Sequence, residues 1–198
     1  RSKKHIPSIA AHTGQAVRFF DASCDIPALV ADKGVDIVVL AMSGSAALDP
    51  FLSAVRAGKV IAPANKEALV IAGDIIMREA RAAGATVIPV DSEQSAIYQS
   101  LQGHRREDLR CVHLTASGGA LWRVPRVKHD RLTVADVLKH PRWKMGAKIT
   151  VDSATLMNKG FEVIEAQRLF SLSTRQVKVV IHPEAVIASP LPCLQYVS

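Results

Sequence analysis

Several features are missing from this 198-residue sequence, and their absence excludes whole classes of protein. No apolar run reaches the roughly 18 residues that a membrane span needs, and the longest candidate, residues 26–42, is interrupted by three charged side chains. No secretory signal pattern is present. The three cysteines are far apart and form no Cys-x-x-Cys, so neither a disulfide framework nor a zinc knuckle is indicated. We therefore expect a protein of a reducing compartment with no membrane partner.

The chain also lacks an initiator methionine, since it opens on Arg1-Ser2-Lys3-Lys4, and it contains no internal repeat. We therefore expect a fragment of a longer protein. Its length allows one or two domains with an ample core. Apolar residues make up 48% and charged residues 22% of the sequence, a balance typical of globular proteins.

The formal net charge of +7 favours anionic partners, namely phosphorylated metabolites, dinucleotides or nucleic acid. Two basic clusters, residues 104–106 and 123–131, have no interleaved aromatic side chains apart from the nearby Trp122. Nucleic-acid recognition is therefore the weakest of these hypotheses. We expect a small phosphorylated ligand and no nucleic-acid partner.

Short apolar, β-branched runs alternate with helical patterns along most of the chain. We predict strands at residues 16–20, 35–41, 59–62, 85–90, 111–115 and 177–181, and helices at residues 43–57, 64–84, 94–101, 133–138 and 152–170. The tail from Ala188 has no predicted structure. This alternation implies right-handed crossovers and a parallel sheet of the α/β class.

Four polar stretches follow predicted strands of this sheet. They are Ser43-Gly44-Ser45, Asn65-Lys66-Glu67, Asp91-Ser92-Glu93 and Ser117-Gly118-Gly119. Ligands of parallel sheets bind beyond the carboxyl ends of the strands. Each stretch alone is also ordinary turn chemistry. Their shared position at one edge favours a ligand site.

The helix at residues 152–170 carries a second candidate cluster. Asp152 and Ser153 are good capping residues for its start. Asn158 and Glu162 share one face, and Lys159 adjoins Glu162 on it. A cation, an amide and a carboxylate together suit an anionic, oxygen-rich ligand. The alternative is an ordinary solvated Lys–Glu pair, worth about 0.3 kcal/mol.

Asp91 and Glu93 flank Ser92 where a strand ends. Residues i and i+2 of an extended backbone point to one side, so the two carboxylates can bind Mg²⁺ or Mn²⁺. Glu162 is a candidate third ligand. The alternative is a helix start, with Asp91 as the N-cap and Glu93 beside the positive end of the helix.

Backbone N–H groups of Ser117-Gly118-Gly119 can cradle a phosphate. The side chains of Ser153, Asn158 and Lys159 would complete the set of donors. The loop at residues 140–146 has no periodicity, and we expect it to be mobile. Its Trp143 and Met145 either close over the apolar part of a ligand or pack on the body of the protein.

Taken together, six segments resemble the 1-deoxy-D-xylulose 5-phosphate reductoisomerase family. They are residues 64–67 (ANKE), 89–93 (PVDSE), 114–119 (LTASGG), 140–146 (HPRWKMG), 151–160 (VDSATLMNKG) and 181–183 (IHP). The resemblance implies an enzyme that rearranges a ketose phosphate skeleton and then reduces the aldehyde with hydride from NADPH. It also implies a divalent metal, Mn²⁺ or Mg²⁺, held by Asp91, Glu93 and Glu162.

The same resemblance assigns roles to the other candidate residues. Catalytic groups would be Lys66, Glu93, His140 and Glu162. Substrate contacts would be Lys66, Ser92, Glu93, Ser117, His140, Trp143, Ser153, Asn158, Lys159 and Glu162. Cofactor contacts would be Asn65, Glu67 and Gly146.

The resemblance further implies a fold of two units. Residues 1–89 would form a truncated Rossmann-like parallel sheet that binds NADPH but lacks the Gly-rich first turn, since nothing matches G-x-G-x-x-G. Residues 90–198 would form the catalytic α/β domain without the family's C-terminal helical domain. Ala120-Leu121-Trp122 stands where the family usually has Pro-Phe, and Glu184-Ala185 where it has Gln-Ser.

These departures leave two hypotheses open, one enzymatic and one not. The chain is either a partial reductoisomerase with its catalytic core present, or a remnant that binds metal and sugar phosphate without turnover. The full-length protein is expected to be a homodimer of the bacterial cytoplasm, or of a plastid if its source bears plastids.

Overall fold

The computed structural model describes residues 20, 23–140, 145–184 and 191–194, the last four as backbone only. The first part is a three-stranded parallel sheet in the order β1-β2-β3. Its strands are β1 (Ile37–Leu40), β2 (Val60–Pro63) and β3 (Thr86–Val87). Its helices are α1 (Ile26–Ala31), α2 (Leu48–Arg56) and α3 (Lys66–Ala83).

The predicted helix ends in this part are confirmed. A 3₁₀ turn, Gly44–Ala47, leads into α2. Gly58 follows α2 with φ +68°, and Gly84 closes α3 at the same φ, a conformation that glycine adopts without strain. Phe51 and Ile61 are fully buried in the core that α2 and α3 form on the sheet.

Among the described residues, no helix covers the other face of this sheet. Val38 and Leu40 are buried, but Ile37 and Val39 are 64% and 65% exposed. The continuous apolar run at residues 35–41 is typical of a parallel strand buried on both faces, and that expectation is wrong for Ile37 and Val39. Parallel sheets usually bury both faces. Here the hydrophobic core packs on the face that carries Val38 and Leu40.

The second part is a mixed sheet in the order β5-β4-β6. β4 (Leu109–Ala116) pairs parallel with β5 (Val177–Ile181) and antiparallel with β6 (Leu191–Leu194). The helices of this part are α4 (Ser92–Ser100), α5 (Val134–Val137), α6 (Ala147–Ala154) and α7 (Met157–Phe170).

Two predictions fail in this second sheet. β6 was not expected, because Pro190 and Pro192 break its pattern, but an edge strand tolerates a proline that a central strand would not. The four polar stretches also do not share one sheet edge, because Ser117 follows β4 of the second sheet. β5 matches its predicted range.

The predicted single helix over residues 152–170 is two helices. Leu156 adopts a left-handed conformation, φ +62°, between α6 and α7. Asp152 and Ser153 therefore lie in the last turns of α6 instead of capping a helix start. Because side chains rarely adopt this conformation, the break was not readable from the sequence. It places Asn158 and Lys159 in the first turn of α7.

The two sheets are joined by close packing of α3 on α7. A Cβ atom on Gly73 would lie 2.6 Å from Cγ of Arg168, so glycine is required where the helices meet. Arg168 also donates to Asp74, with Nη1 and Oδ1 2.7 Å apart. This packing brings Lys66, at the start of α3, beside α7. None of the described helices is long and apolar enough to cross a membrane.

Candidate metal- and phosphate-binding site

Three carboxylates converge between α4 and α7. One oxygen each of Asp91, Glu93 and Glu162 lie within 4.8 Å of one another. Asp91 is the N-cap residue of α4 and Glu93 lies in its first turn, as the alternative interpretation expected, but the Asp91 side chain makes no capping bond and is turned to the site instead. Glu162 lies on α7 and is only 1% exposed. The structure thus brings together the three residues that the sequence analysis proposed as ligands.

Two lysines are interleaved with these carboxylates. Lys66 Nζ lies 3.2 Å from Asp91 Oδ2 and 3.7 Å from Glu162 Oε1. Lys159 Nζ lies 3.1 Å from Glu93 Oε1 and also pairs with Glu162 Oε2. Both lysine side chains are almost fully buried. The ammonium groups therefore balance the carboxylates in the interior, where unpaired charges are costly.

The donor set fits a hard divalent cation. Carboxylate oxygens are the ligands that Mg²⁺ and Mn²⁺ prefer, and three of them leave coordination positions for substrate oxygens or water. Asn158 holds Glu162 in place, because its Nδ2 donates to Glu162 Oε1. Ser92 donates its hydroxyl to Glu93 Oε2 at 2.6 Å, so it orients a ligand carboxylate.

The carboxylates of this site differ in proton affinity. Burial raises the pKa of Glu162 to about 7, and the charge of Glu93 adds to the effect, while Lys159 and Lys66 offset it in part. For Glu93, burial opposes ionisation, but Lys159 and the Ser92 hydroxyl outweigh burial and lower its pKa. Glu93 is therefore a permanent anion near neutral pH, whereas Glu162 is not.

A fourth carboxylate, Glu165, was missed in the sequence. It is 2% exposed and lies one turn beyond Glu162 on α7. Burial, followed by the charge of Asp91, raises its pKa to about 9. The sequence feature that could have revealed Glu165 is its position three residues after Glu162, because residues three apart lie on the same face of a helix.

Lys66 responds to the same group of acids. Burial lowers its pKa, but the combined attraction of Asp91, Glu162 and Glu165 outweighs burial and raises it. Its ammonium also donates to Asn158 Oδ1 at 3.0 Å. Lys66 therefore remains a cation across the neutral range. Its side chain extends from α3 towards α7 and the carboxylates.

A cavity of about 120 Å³ opens beside the carboxylates. The predicted site residues that line it are Glu93, Ser117, His140, Ser153, Asn158, Lys159 and Glu162. Ser117 and Ser153 belong to two segments that meet at Gly119, and this part of the lining is called the donor end, whereas Asn158 and Lys159 contact the carboxylates themselves. Such a division suits a ligand with an anionic group at one end and oxygens able to chelate a cation at the other.

Two glycines shape the donor end. Gly119 has φ +71°, and a Cβ atom there would overlap the carbonyl oxygen of Ser153 and lie 3.1 Å from Cα of Ala154. Gly118 has φ +98°, and its Cβ atom would lie 2.6 Å from the Trp122 ring. Only glycine allows the loop after β4 to approach α6 this closely.

His140 contacts the hydroxyl of Ser117, with 3.2 Å between Nε2 and Oγ. Burial lowers the pKa of His140, so the imidazole is neutral at pH 7 and has both a donor and an acceptor nitrogen. The contact links the loop after α5 to the donor end of the cavity. Trp143 lies outside the described residues.

The three predicted cofactor residues do not line this cavity. Asn65 is buried, and its amide donates to the Met42 and Gly44 carbonyls while its oxygen accepts from the Ala68 N–H. Glu67 pairs with Lys148 at 3.0 Å. Gly146 precedes α6, and a Cβ atom there would meet nothing within 4 Å. Asn65 therefore fixes the loop after β1 against α3.

Fold and site together define an α/β protein with a Rossmann-like sheet joined to a unit that carries a carboxylate–lysine centre. Two family models match the chain. Residues 2–73 match 1-deoxy-D-xylulose 5-phosphate reductoisomerase, and residues 87–170 match the C-terminal domain of the same enzyme. The chain belongs to the 1-deoxy-D-xylulose 5-phosphate reductoisomerase family, as its motifs had indicated.

Curated relatives and solved structures agree with this family. The reductoisomerase of Chlorobium chlorochromatii is 47% identical over 188 residues, covering 95% of this chain and 48% of the relative. That of Geotalea uraniireducens is 53% identical over 154 residues, covering 78% and 40%. The chain thus spans about half the length of the curated relatives it matches.

Two solved structures confirm the predicted fold class. A DOX-P reductoisomerase in complex with NADPH, fosmidomycin and magnesium matches with a TM-score of 0.77 and 38% identity, covering 92% of this chain and 47% of that one. The Zymomonas mobilis enzyme in complex with NADPH matches with a TM-score of 0.73 and 38% identity, covering 85% and 46%.

Proposed function

We propose that this chain carries the metal- and substrate-binding core of an NADP-dependent reductoisomerase. The enzyme would convert 1-deoxy-D-xylulose 5-phosphate to 2-C-methyl-D-erythritol 4-phosphate in non-mevalonate isoprenoid biosynthesis. The observation that carries this proposal is the convergence of Asp91, Glu93 and Glu162 beside a cavity lined with phosphate donors. Family membership supports the same chemistry.

Asp91, Glu93 and Glu162 would hold Mg²⁺ or Mn²⁺. When bound, the cation would supply Lewis-acid stabilisation of charge on neighbouring substrate oxygens. Lys66 stays protonated in this setting, so its ammonium can donate to a substrate oxygen without a change of charge state. Neutral His140 can donate to or accept from the substrate at the same cavity.

The phosphate of the substrate would bind at the donor end of the cavity. Ser117 and Ser153 line this end together with Gly118 and Gly119, and Asn158 and Lys159 line the same cavity where it adjoins the carboxylates. This placement leaves the oxygens of the carbon chain towards the carboxylates. The ligand is thereby held at both ends, which fixes its reacting carbons without a covalent link.

We extend the proposal to the two units and to NADPH. Residues 1–89 would contribute part of the nucleotide-binding unit, and residues 90–198 the catalytic domain. Asn65 would act on the cofactor through the loop that it holds, and Glu67 and Gly146 would lie nearby. The solved neighbours bind NADPH and magnesium, which supports the same cofactors here. The full-length protein would be a homodimer of the bacterial cytoplasm, or of a plastid.

A second candidate function is the one that the sequence analysis left open, a binder of metal and sugar phosphate. In the part of the chain that the structure describes, Ile37 and Val39 are exposed on a face where a Rossmann-like sheet normally carries helices. A chain with an intact metal site and an incomplete nucleotide unit would bind metal and sugar phosphate without turnover.

Two measurements test these candidates. Saturating Mn²⁺ with a phosphorylated hydroxamate is expected to raise the melting temperature of the chain, because a ligand that binds only the folded state stabilises it. Absence of any shift would contradict both candidates and favour a basic nucleic-acid-binding module, which needs no metal. NADPH oxidation on addition of the ketose phosphate would then distinguish the enzyme from the binder.

A further inference from the structure

Gln94 is a buried amide that the reaction itself does not call for. It lies in the first turn of α4, directly after Glu93, and is 0% exposed. Its Nε2 donates to the backbone carbonyl of Glu162 on α7 at 2.9 Å. The bond therefore joins α4, whose start carries Asp91 and Glu93, to Glu162, the residue that supplies the third carboxylate.

This bond differs in kind from the other polar contacts between the two helices. In the part of the chain that the structure describes, those contacts are the ion pair of Lys159 with Glu93 and a hydrogen bond between the carboxyl groups of Glu165 and Asp91, the residue that precedes α4. Their strength depends on the charge of the carboxylates, which changes with protonation or with a bound cation. The Gln94 bond uses a main-chain carbonyl and a neutral amide, so neither event alters it.

The amide is hard to explain by stability alone. Gln94 Oε1 is buried and has no hydrogen-bond partner among the described residues. An unsatisfied buried acceptor opposes folding, and an apolar side chain of similar length would fill the same space without it. The one bond that the amide does make is the feature that an apolar side chain could not supply.

We propose that Gln94 is a positioning residue that fixes the Glu162 backbone against α4 and so sets the spacing of the three carboxylates. This inference rests on the proposed function, because it concerns the affinity of the same site for a divalent cation. Groups that orient metal ligands from outside the coordination sphere typically change metal affinity by about 10–100-fold when removed.

The test is the Mn²⁺ dissociation constant of the full chain, measured by electron paramagnetic resonance of free Mn²⁺. Gln94→Met removes the donor and the unsatisfied oxygen while keeping the length of the side chain. We expect the dissociation constant to rise about tenfold or more. The melting temperature of the metal-free chain should stay close to that of the wild type, because one hydrogen bond and one unsatisfied acceptor are lost together.

Gln99→Met is the matched control. Gln99 lies on the exposed side of the same helix, and within the described part of the chain it donates only to Ser95, at 3.0 Å, so the same substitution there should leave Mn²⁺ affinity unchanged. Gln94→Asn keeps an amide but shortens it by one methylene group, so that it no longer reaches the Glu162 carbonyl. It should lose affinity as the methionine variant does, and it serves as the test if the methionine variant does not fold.

The outcomes separate this inference from the proposed function. If the wild type binds Mn²⁺ and both Gln94 variants bind it with the same affinity, the positioning role is overturned and the metal site stands. A loss of affinity matched by a large loss of melting temperature would also overturn it, since Gln94 would then act on the fold as a whole. If the wild type binds no Mn²⁺, the proposed function fails and the positioning role fails with it.

Discussion

Lys159 Nζ lies 3.1 Å from Glu93 Oε1, although the two residues are 66 positions apart in the chain. The pair joins the first turn of α7 to the first turn of α4. Lys159 also contacts Glu162, so a single ammonium balances two of the three candidate metal ligands. The metal-free site is therefore stable only while a buried cation compensates its acids.

Lys159→Met tests this compensation. Removal of one partner of a buried ion pair costs about 3–5 kcal/mol, because the other partner is left as an unpaired charge. We expect the metal-free variant to unfold at lower urea concentration than the wild type at pH 8. Saturating Mn²⁺ should restore more stability to the variant than to the wild type, since the divalent cation replaces the missing charge.

Lys139→Met is the control for the lysine substitution. Its side chain is 78% exposed and its nearest carboxylate, Asp136, is 3.9 Å away, so its loss should change stability by no more than about 0.5 kcal/mol. Equal unfolding midpoints for the Lys159 variant and this control would refute the compensating role.

The affinity for Mn²⁺ should depend on pH through Glu162. Its folded pKa of about 7 lies above its ordinary value of 4.5, so the proton must leave before the carboxylate can bind a cation. We expect the dissociation constant to fall about tenfold per pH unit between pH 5 and 6.5 and to level off above pH 7. Titrations followed by electron paramagnetic resonance at fixed ionic strength would measure it.

The raised pKa of Glu162 has the opposite effect on the stability of the metal-free protein. The folded state binds the Glu162 proton more tightly than the unfolded chain, so this group makes the folded state less stable as pH rises from 4.5 to 7. Metal affinity and metal-free stability should therefore move in opposite directions across this window. If both rose with pH, Glu162 would not be the group that titrates.

Gly119→Ala probes the contact between the loop after β4 and α6. The added methyl group would overlap the Ser153 carbonyl, so the loop or α6 must move, and both line the donor end of the cavity. We expect the phosphorylated hydroxamate to bind at least about tenfold more weakly, because a displacement near 1 Å is enough to disrupt a preorganised site. Isothermal titration calorimetry in saturating Mn²⁺ would measure the change.

Gly103→Ala is the matched control for the glycine substitution. Gly103 has φ +79°, close to that of Gly119, but its Cβ atom would meet nothing within 4 Å. Both variants carry the strain of a left-handed alanine, about 1 kcal/mol, and only one carries the steric overlap. Similar ligand affinities in the two variants would mean that conformation, and not proximity to Ser153, explains any effect.

Much of this site was predictable because it depends on local rules. Asp91 and Glu93 converge as expected, but not as i and i+2 of an extended strand, because Glu93 lies in the first turn of α4 and β3 already ends at Val87. The helical spacing of Lys159 and Glu162 follows from backbone geometry alone. Gly58 and Gly84 marked helix ends for the same reason. The residue types made Glu162 a candidate third ligand for Asp91 and Glu93, and the family resemblance then assigned all three carboxylates to one metal ion.

The remaining features depend on tertiary context. Leu156 is a good helix former, and only the packing around it imposes the left-handed conformation that separates α6 from α7. Pro192 argued against a strand, and β6 is compatible with it only because the strand lies at an edge. Gln94 and Glu165 look like exposed helix residues by composition, and their burial against α7 and α4 decides what they do.

Glu165→Gln tests whether the carboxyl group of Glu165 is neutral at pH 7. Burial and the charge of Asp91 raise the pKa of Glu165 to about 9, so its carboxyl is neutral at pH 7 and an amide of the same shape should replace it with little change in stability. Between its ordinary value of 4.5 and pH 9 the wild-type carboxyl progressively opposes folding as pH rises, and the amide does not. The variant should therefore match the wild type in melting temperature at pH 5 and exceed it at pH 8.5. Glu107→Gln, at an exposed carboxylate, should show no such divergence. A Glu165 variant that is less stable than the wild type at pH 8.5 would show that the carboxylate is instead held ionised by Lys66.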